Sequence, residues 1–311
     1  MIDEFIVGID VGGTKVMVGV ARLCDNHRDY EEIQAVRFPT QADGGAERVL
    51  NRIISETREL LGQCGVKEDS QVKAVAVGIP SIVHPRNQSV KSATNIPGWE
   101  QVSVRSRLSE AVPAARVVLE NDVNLAAIAE LRRGAGRDFQ SFLLVAVGTG
   151  IGCGVIIDGK LYKGIAGAAG EIGAMWVPGS YEPAMPFSQE RKTYEDLASG
   201  AWLSKNLGGV GGIEQAFEEH LSQVEPGYGT VERWILTLEA GIFNAVTVLA
   251  PEAVILGGGV LTRNPWIGRR IADSLQRWAF AAPVVRFAEL GEKAPLVGAL
   301  QVALDLANER Y

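Results

Sequence analysis

Three cysteines, three histidines and no long apolar run are what this 311-residue sequence has least of, and each scarcity closes a class of function. Cys24, Cys64 and Cys153 stand far apart, without the close spacing of a metal site or a redox pair, and an odd count builds no disulfide framework. A reducing, cytoplasmic home is expected. His27, His84 and His220 are equally scattered among polar neighbours, which reads as surface placement and gives no Ser-His-Asp arrangement. Nowhere do about eighteen apolar residues run together. Asp3, Glu4, Gly8 and Asp10 interrupt the N-terminal apolar stretch, so neither a membrane span nor a secretory leader is expected. Basic residues are outnumbered, 30 Lys and Arg against 37 Asp and Glu, for a formal net charge of -7. That leaves no broad positive field to hold a phosphodiester backbone, so no nucleic-acid partner is expected.

What the sequence has in quantity is glycine, 36 residues of it, and apolar side chains, 47% of the chain. A chain of this length exceeds the size at which one core usually divides, so the expectation is two α/β lobes with a ligand cleft between them. In the first lobe, residues 1–119, alternation and apolar runs predict strands at Phe5 to Ile9, Val16 to Ala21, Gln34 to Phe38, Ala74 to Ile79 and Val117 to Leu119. An amphipathic helix is predicted from Ala46 to Leu61. The second lobe covers residues 120–294. The last helix, Pro295 to Asn308, starts with proline in its first turn and is expected to pack, with the rest of 295–311, back on the first lobe. Three prolines between Pro178 and Arg191 mark a surface excursion near the cleft.

The most informative stretch is Asp10-Val11-Gly12-Gly13-Thr14-Lys15. It sets a carboxylate at the end of a buried strand and then a turn almost without side chains, so that phosphate can approach backbone N–H groups while Asp10 organises a metal or water. Alternation resumes at Val16, Val18 and Val20, so the turn closes a hairpin and opens no helix; that argues against a dinucleotide fingerprint and a Walker loop. A tight turn with no ligand is the plain alternative. A second copy follows: the strand from Phe142, the turn Gly148-Thr149-Gly150, a return strand at Val155 to Ile157 and the hairpin turn Asp158-Gly159. A third glycine turn, Gly257-Gly258-Gly259, follows the strand Ala253 to Leu256, itself preceded by a long amphipathic helix. The chain reads as internally duplicated, with three glycine turns at strand ends able to converge on one nucleotide.

Glu120-Asn121-Asp122 lies between the strand Val117 to Leu119 and the helix Leu125 to Leu131. Asp122 there suits helix capping, and it equally suits a base that orients an attacking hydroxyl in phosphoryl transfer; both roles stay open. Glu171, in a run of small residues from Gly167 to Gly173, can accept two hydrogen bonds from neighbouring sugar hydroxyls or be a solvated loop residue. Asn95 is ordinarily a turn residue, and its amide also matches what a sugar hydroxyl needs.

DVGGTK at 10–15, END at 120–122, VGTGIGCGVIIDGKLYKGIAGAAGEIG at 147–173, YEDLASG at 194–200 and PEAVILGGG at 251–259 together resemble the ROK family, which groups repressors, open reading frames and sugar kinases within the actin-like ATPase superfamily. The match spans nearly the whole chain in order. The resemblance implies two actin-like, ribonuclease H-like lobes with an internal duplication, and an ATP- and Mg-dependent hexose kinase, most commonly a glucokinase acting on the 6-hydroxyl. It implies Asp10 near Mg and the phosphates, Gly12, Gly13, Thr14 and Lys15 in the first phosphate loop, Thr149 and Gly150 in the second, and Gly257 and Gly258 at the adenosine. Asp122 corresponds to the catalytic base; Asn95, Asn121, Asp122, Glu171 and Glu195 correspond to sugar-binding positions. A homodimer is usual for the family.

Two departures stand out. Where family kinases continue GEIG with a histidine that touches sugar and binds zinc, this chain has Ala174. Lys192 and Thr193 stand where a Gly-Cys pair of the zinc site is usual, so no structural zinc is expected. The vacated space beside Glu171, with Met175 and Trp176 near in sequence, opens the alternative of an amino or N-acyl sugar such as N-acetylmannosamine. Few residues precede the first strand, so the DNA-binding domain of the repressor branch is not expected; a non-catalytic sugar sensor on the same fold is the rival reading.

Overall fold

The computed structural model describes residues 3–91, 96–177, 192–207, 212–224 and 227–311. The chain forms two compact units. Unit 1 holds Met1–Arg137, Lys160–Ala169 and Glu292–Tyr311; unit 2 holds Asp138–Gly159 and Gly170–Gly291.

Unit 1 opens with β1 (Phe5–Val11), all seven residues buried, paired antiparallel with β2 (Lys15–Cys24), which in turn pairs with β3 (Asp29–Pro39). The helix α1 (Ala46–Gln63) follows, with Val49, Leu50, Ile53, Leu60 and Leu61 on its buried face. Next come β4 (Val72–Ile79), α2 (Val104–Ala111), β5 (Arg116–Asn121) and α3 (Asp122–Arg133). The sheet order is β3-β2-β1-β4-β5, and β1, β4 and β5 run parallel.

The chain then enters unit 2 with β6 (Phe142–Val147) and β7 (Ile151–Ile157), another antiparallel hairpin. It returns to unit 1 as β8 (Lys160–Leu161), the start of a ten-residue strap, Lys160–Ala169. The rest of unit 2 comprises α4 (Tyr194–Ala198), α5 (Gly200–Leu207), α6 (Gly212–Leu221), α7 (Gly227–Leu249), β9 (Ala253–Gly257), α8 (Gly259–Arg263), α9 (Pro265–Trp278) and β10 (Val284–Phe287). Its four longer strands are ordered β10-β9-β6-β7. The final helix, α10 (Ala294–Ala307), belongs to unit 1.

The expected duplication is visible strand by strand. In unit 1 the hairpin β1/β2 continues into parallel β4 and β5; in unit 2 the hairpin β6/β7 continues into parallel β9 and β10. Both repeats turn through glycine at the hairpin.

The expected boundary at residue 119 is corrected to Arg137. Leu125 and Ile128 of α3 share a core with Ala299, Leu300, Val302 and Ala303 of α10, so α3 is held in unit 1 by apolar burial. The packing is close: a Cβ on Gly8 of β1 would lie 2.9 Å from the Leu300 side chain, so glycine there lets α10 settle on the sheet. His220 is a second correction. It is buried, not at the surface, stacked on Tyr228 and Trp266 with ring centroids 5.3 Å away on both sides. Among the described residues, no helix is long and apolar enough to cross a membrane.

Candidate active site

Strand register in unit 1 brings Asp10 and the END segment to one edge of the sheet. Asp10 on β1 is level with Gly78 on β4, and Gly78 is level with Glu120 on β5, so the END segment leaves the sheet at the same edge as Asp10. A Cβ on Gly78 would sit 2.7 Å from Leu125 Cδ1 of α3, so any larger residue there would have to displace that side chain. Asp10 is 7% exposed. Burial and, next, the negative charge of Asp122 push its carboxyl up to about 7, against an opposing pull from Lys15.

The choice between cap and base at Asp122 takes a new form here. Asn121 is the N-cap of α3: its Oδ1 accepts from the N–H groups of Val123 at 2.9 Å and Asn124 at 3.0 Å. Its Nδ2 donates to the Ser81 carbonyl at 3.2 Å. Asp122 is the first helical residue, its Oδ1 accepting from the Val123 N–H at 2.9 Å. With the cap duty taken by Asn121, the Asp122 side chain stands in the first turn of α3.

The first glycine turn is a closed hairpin, as expected, with the Gly12 N–H donating to the Lys15 carbonyl at 2.9 Å. The Lys15 ammonium reaches the Glu292 carboxylate at 2.6 Å. Sequence reasoning missed Thr40. It is buried at 2% exposure, its hydroxyl donates to the Gly12 carbonyl at 2.6 Å, and its N–H donates to the Thr14 carbonyl at 3.0 Å. Two bonds from one residue fix a turn that has almost no side chains of its own. Only the tertiary course of β3 brings Thr40 there.

Unit 2 carries the second and third glycine turns. In the turn Gly148-Thr149-Gly150 the Gly148 N–H donates to the Gly150 carbonyl at 2.9 Å. The first N–H groups of α5, on Gly200 and Ala201, donate to the Gly148 and Thr149 carbonyls at 2.8 and 3.0 Å. The turn thereby caps the helix with its carbonyls. Glu195 on α4 accepts from the Ile151 N–H at 2.6 Å, so one carboxylate oxygen braces the turn. Its charge faces Glu171, whose carboxyl is raised by burial first and by Glu195 second. Two carboxylates therefore meet beside the second glycine turn. Ala174 closes a short 3-10 turn, Ile172–Ala174, and is exposed; Trp176 is 55% exposed.

Gly258, between β9 and α8, has φ of +81°, and a Cβ on it would lie 2.4 Å from the Val147 carbonyl oxygen. Gly257 meets only ordinary contacts, the nearest at 3.4 Å. The third turn is thus locked against the end of β6. Asn95 and the excursion 178–191 lie outside the described residues.

A divalent cation fits the unit 1 residues on the chemistry of their donors. Asp10 and Asp122 are two carboxylates whose charges oppose each other, with Asp10 out of water. Among the described residues, no cluster of three or more His, Cys, Asp or Glu could hold a metal. Mg commonly binds through one or two carboxylates, with water and phosphate filling the rest, and Asp10 and Asp122 offer that donor chemistry.

The model of the ROK family matches residues 6–306. A glucokinase of Streptomyces coelicolor is 29% identical over 330 residues, covering 97% of this chain and 97% of that protein. Among solved structures, a ROK hexokinase from Thermus thermophilus superposes with a TM-score of 0.78 at 29% identity, covering 98% of this chain and 99% of that one. A ROK family glucokinase from Streptomyces griseus, in complex with glucose and AMPPNP, has a TM-score of 0.72 at 27% identity over 96% of this chain and 99% of that one.

Proposed function

The chain belongs to the ROK family, and from that premise we propose that it is an ATP-dependent kinase that phosphorylates a free hexose, with glucose taken at its 6-hydroxyl. The observation that carries the reading is the pair Asp10 and Asp122, coupled in charge at one edge of the unit 1 sheet beside the Gly12–Thr14 hairpin. The glucose- and AMPPNP-bound relative supports both substrates.

In this reading the backbone of Gly12, Gly13 and Thr14 and the turn at Thr149 and Gly150 approach the phosphates, while Gly257 and Gly258 approach the adenosine. Lys15 exchanges Glu292 for a phosphate oxygen. Asp10 would hold Mg, directly or through water, and when bound the ion would supply charge neutralisation at the phosphates. Asn95, Asn121, Glu171 and Glu195 orient the sugar. The 6-hydroxyl oxygen attacks the γ-phosphorus, the bond from that phosphorus to the bridging oxygen breaks, ADP leaves, and the hydroxyl proton passes to Asp122. A carboxylate of ordinary or low basicity suffices, because a loose transition state asks the base chiefly to orient the nucleophile.

A second reading rests on Ala174. An exposed alanine gives no side-chain hydrogen bond to a sugar hydroxyl, and its small side chain three residues after Glu171, with the exposed Trp176 two residues further on, favours an amino or N-acyl sugar such as N-acetylmannosamine. ADP release measured across glucose, mannose, glucosamine and N-acetylmannosamine decides between them. Weak, broad hexose turnover is the expected result; strong selectivity for the N-acyl sugar selects the second reading, and no sugar-dependent turnover selects a non-catalytic sensor. A cytoplasmic homodimer belongs to the same proposal, and light scattering of the purified protein tests the dimer.

A further inference from the structure

Behind the Asn121–Asp122 junction lies a polar cluster that phosphoryl transfer does not use. Glu120 is 3% exposed, and its carboxylate receives four donors. Oε1 accepts from the Asn121 N–H at 2.9 Å and from Asn124 Nδ2 at 3.0 Å. Oε2 accepts from the Tyr311 hydroxyl at 2.6 Å and pairs with Lys163 Nζ at 2.7 Å. Lys163 also donates to the Tyr311 oxygen at 2.5 Å and lies 4.2 Å from the centroid of its ring. Four donors fill the lone-pair positions of one carboxylate, which is how a buried charge becomes tolerable.

The geometry of this carboxylate is two-sided. One oxygen grips Asn121, immediately before Asp122, and Asn124, two residues after it, so both flanks of Asp122 are tied to one point. The other oxygen is held by residues remote in sequence: Tyr311, beyond the end of α10, and Lys163, on the strap Lys160–Ala169. The strap is itself seated in unit 1, because Gly167, with φ of +80°, passes so close to Val83 that a Cβ would lie 2.0 Å from the Val83 carbonyl oxygen. A burial role alone would need only that the charge be satisfied. This arrangement spends half of that satisfaction on the turn that carries Asp122.

We propose that Lys163 and Tyr311 are positioning residues that hold the Glu120 carboxylate and, through its bonds to Asn121 and Asn124, set the first turn of α3 and the aim of Asp122. The proposal rests on the reading of Asp122 as the base. A base that works by orientation loses rate when it is misdirected, even with its chemistry intact.

Tyr311→Phe and Lys163→Met, made in the full chain both alone and with Asp122→Asn, test this with glucose and MgATP in single-turnover and steady-state kinetics. Tyr311→Phe removes one oxygen and keeps the ring, so it preserves the test if Lys163→Met fails to fold. The expected result is about a 10-fold loss of kcat in Tyr311→Phe with KM for ATP within about 2-fold, and Lys163→Arg retaining most of the rate that Lys163→Met loses. With Asp122→Asn already present, either change should cost less than about 2-fold more, because residues acting through one group are not additive. A full, additive loss in the Asp122→Asn background, or an unchanged kcat in Tyr311→Phe, overturns the positioning role. Asp122→Asn turning over near the wild-type rate overturns the base reading and the proposal with it.

Discussion

Replacing Asp10 by Asn in the chelator-treated, ligand-free protein removes a charge that the fold accommodates poorly. Burial, then the facing charge of Asp122, lifts the Asp10 carboxyl from 3.8 to about 7, with Lys15 pulling the other way. The native chain thus keeps a proton that the unfolded chain sheds near its ordinary pKa. Ionisation therefore favours the unfolded state increasingly as pH rises between those two values, and the effect levels off above the native one. At about 1.4 kcal/mol per unit, a shift of about three units amounts to about 4 kcal/mol when fully developed, of which about 2 to 3 kcal/mol accrues between about pH 5 and about pH 8. Asn does not titrate, so urea unfolding of both chains at the two pH values isolates the carboxyl. The variant is expected to gain about 2 to 3 kcal/mol on the wild type between the lower and the higher pH. A gap that does not change with pH would mean that Asp10 is ionised throughout, and would refute the argument from burial and Asp122.

The glycine turns give a contrast within unit 2: Gly258→Ala, at φ of +81° and 2.4 Å from the Val147 oxygen, is expected to lower the thermal midpoint and weaken ATP much more than glucose, while Gly257→Ala, with nothing nearer than 3.4 Å, leaves the midpoint nearly unchanged in calorimetry. Thr40→Val keeps shape but loses the 2.6 Å bond to the Gly12 carbonyl, and is expected to cost about 1 to 2 kcal/mol of stability and to weaken ATP more than glucose in titration calorimetry. Elemental analysis of the purified protein is expected to find no stoichiometric zinc, with Ala174, Lys192 and Thr193 at the positions in question; one tightly held zinc per chain would mean that other ligands supply about four donors.

Strand and helix interiors were readable in the sequence wherever apolar alternation was strong, as in β1, β2, β4 and α1. β3 was predicted only from Gln34 because Asp29 to Glu32 are polar, and an edge strand has no need of a continuous apolar face. The hairpin at Gly12–Thr14 and its copy at Gly148–Gly150 were legible because glycine at a strand end has few other uses. The division of labour between Asn121 and Asp122 was not, since either side chain can cap and only the backbone angles of Asn121 select it. His220 read as polar surface because its stacking partner Trp266 lies 46 residues away, beyond any local pattern. Thr40 and Tyr311 carry no signal in sequence, and Lys163, although inside the 147–173 signature, gives no hint of its partner; the partners Gly12, Glu120 and Glu120 of Thr40, Lys163 and Tyr311 are 28, 43 and 191 residues away respectively. Periodicity reports a face, and these residues act by reaching across the fold.

Glucose-dependent ADP release by the wild type and by Asp122→Asn, with glucose binding followed by calorimetry on both, tests the central claim most directly. The wild type is expected to turn over only with sugar, and the variant's kcat to fall about 10² to 10⁴-fold while its glucose Kd stays within a few-fold, because shape and one hydrogen-bonding partner remain when the proton acceptor is gone. A variant that keeps near wild-type turnover, or a wild type that releases no ADP with any of the four sugars, would contradict it.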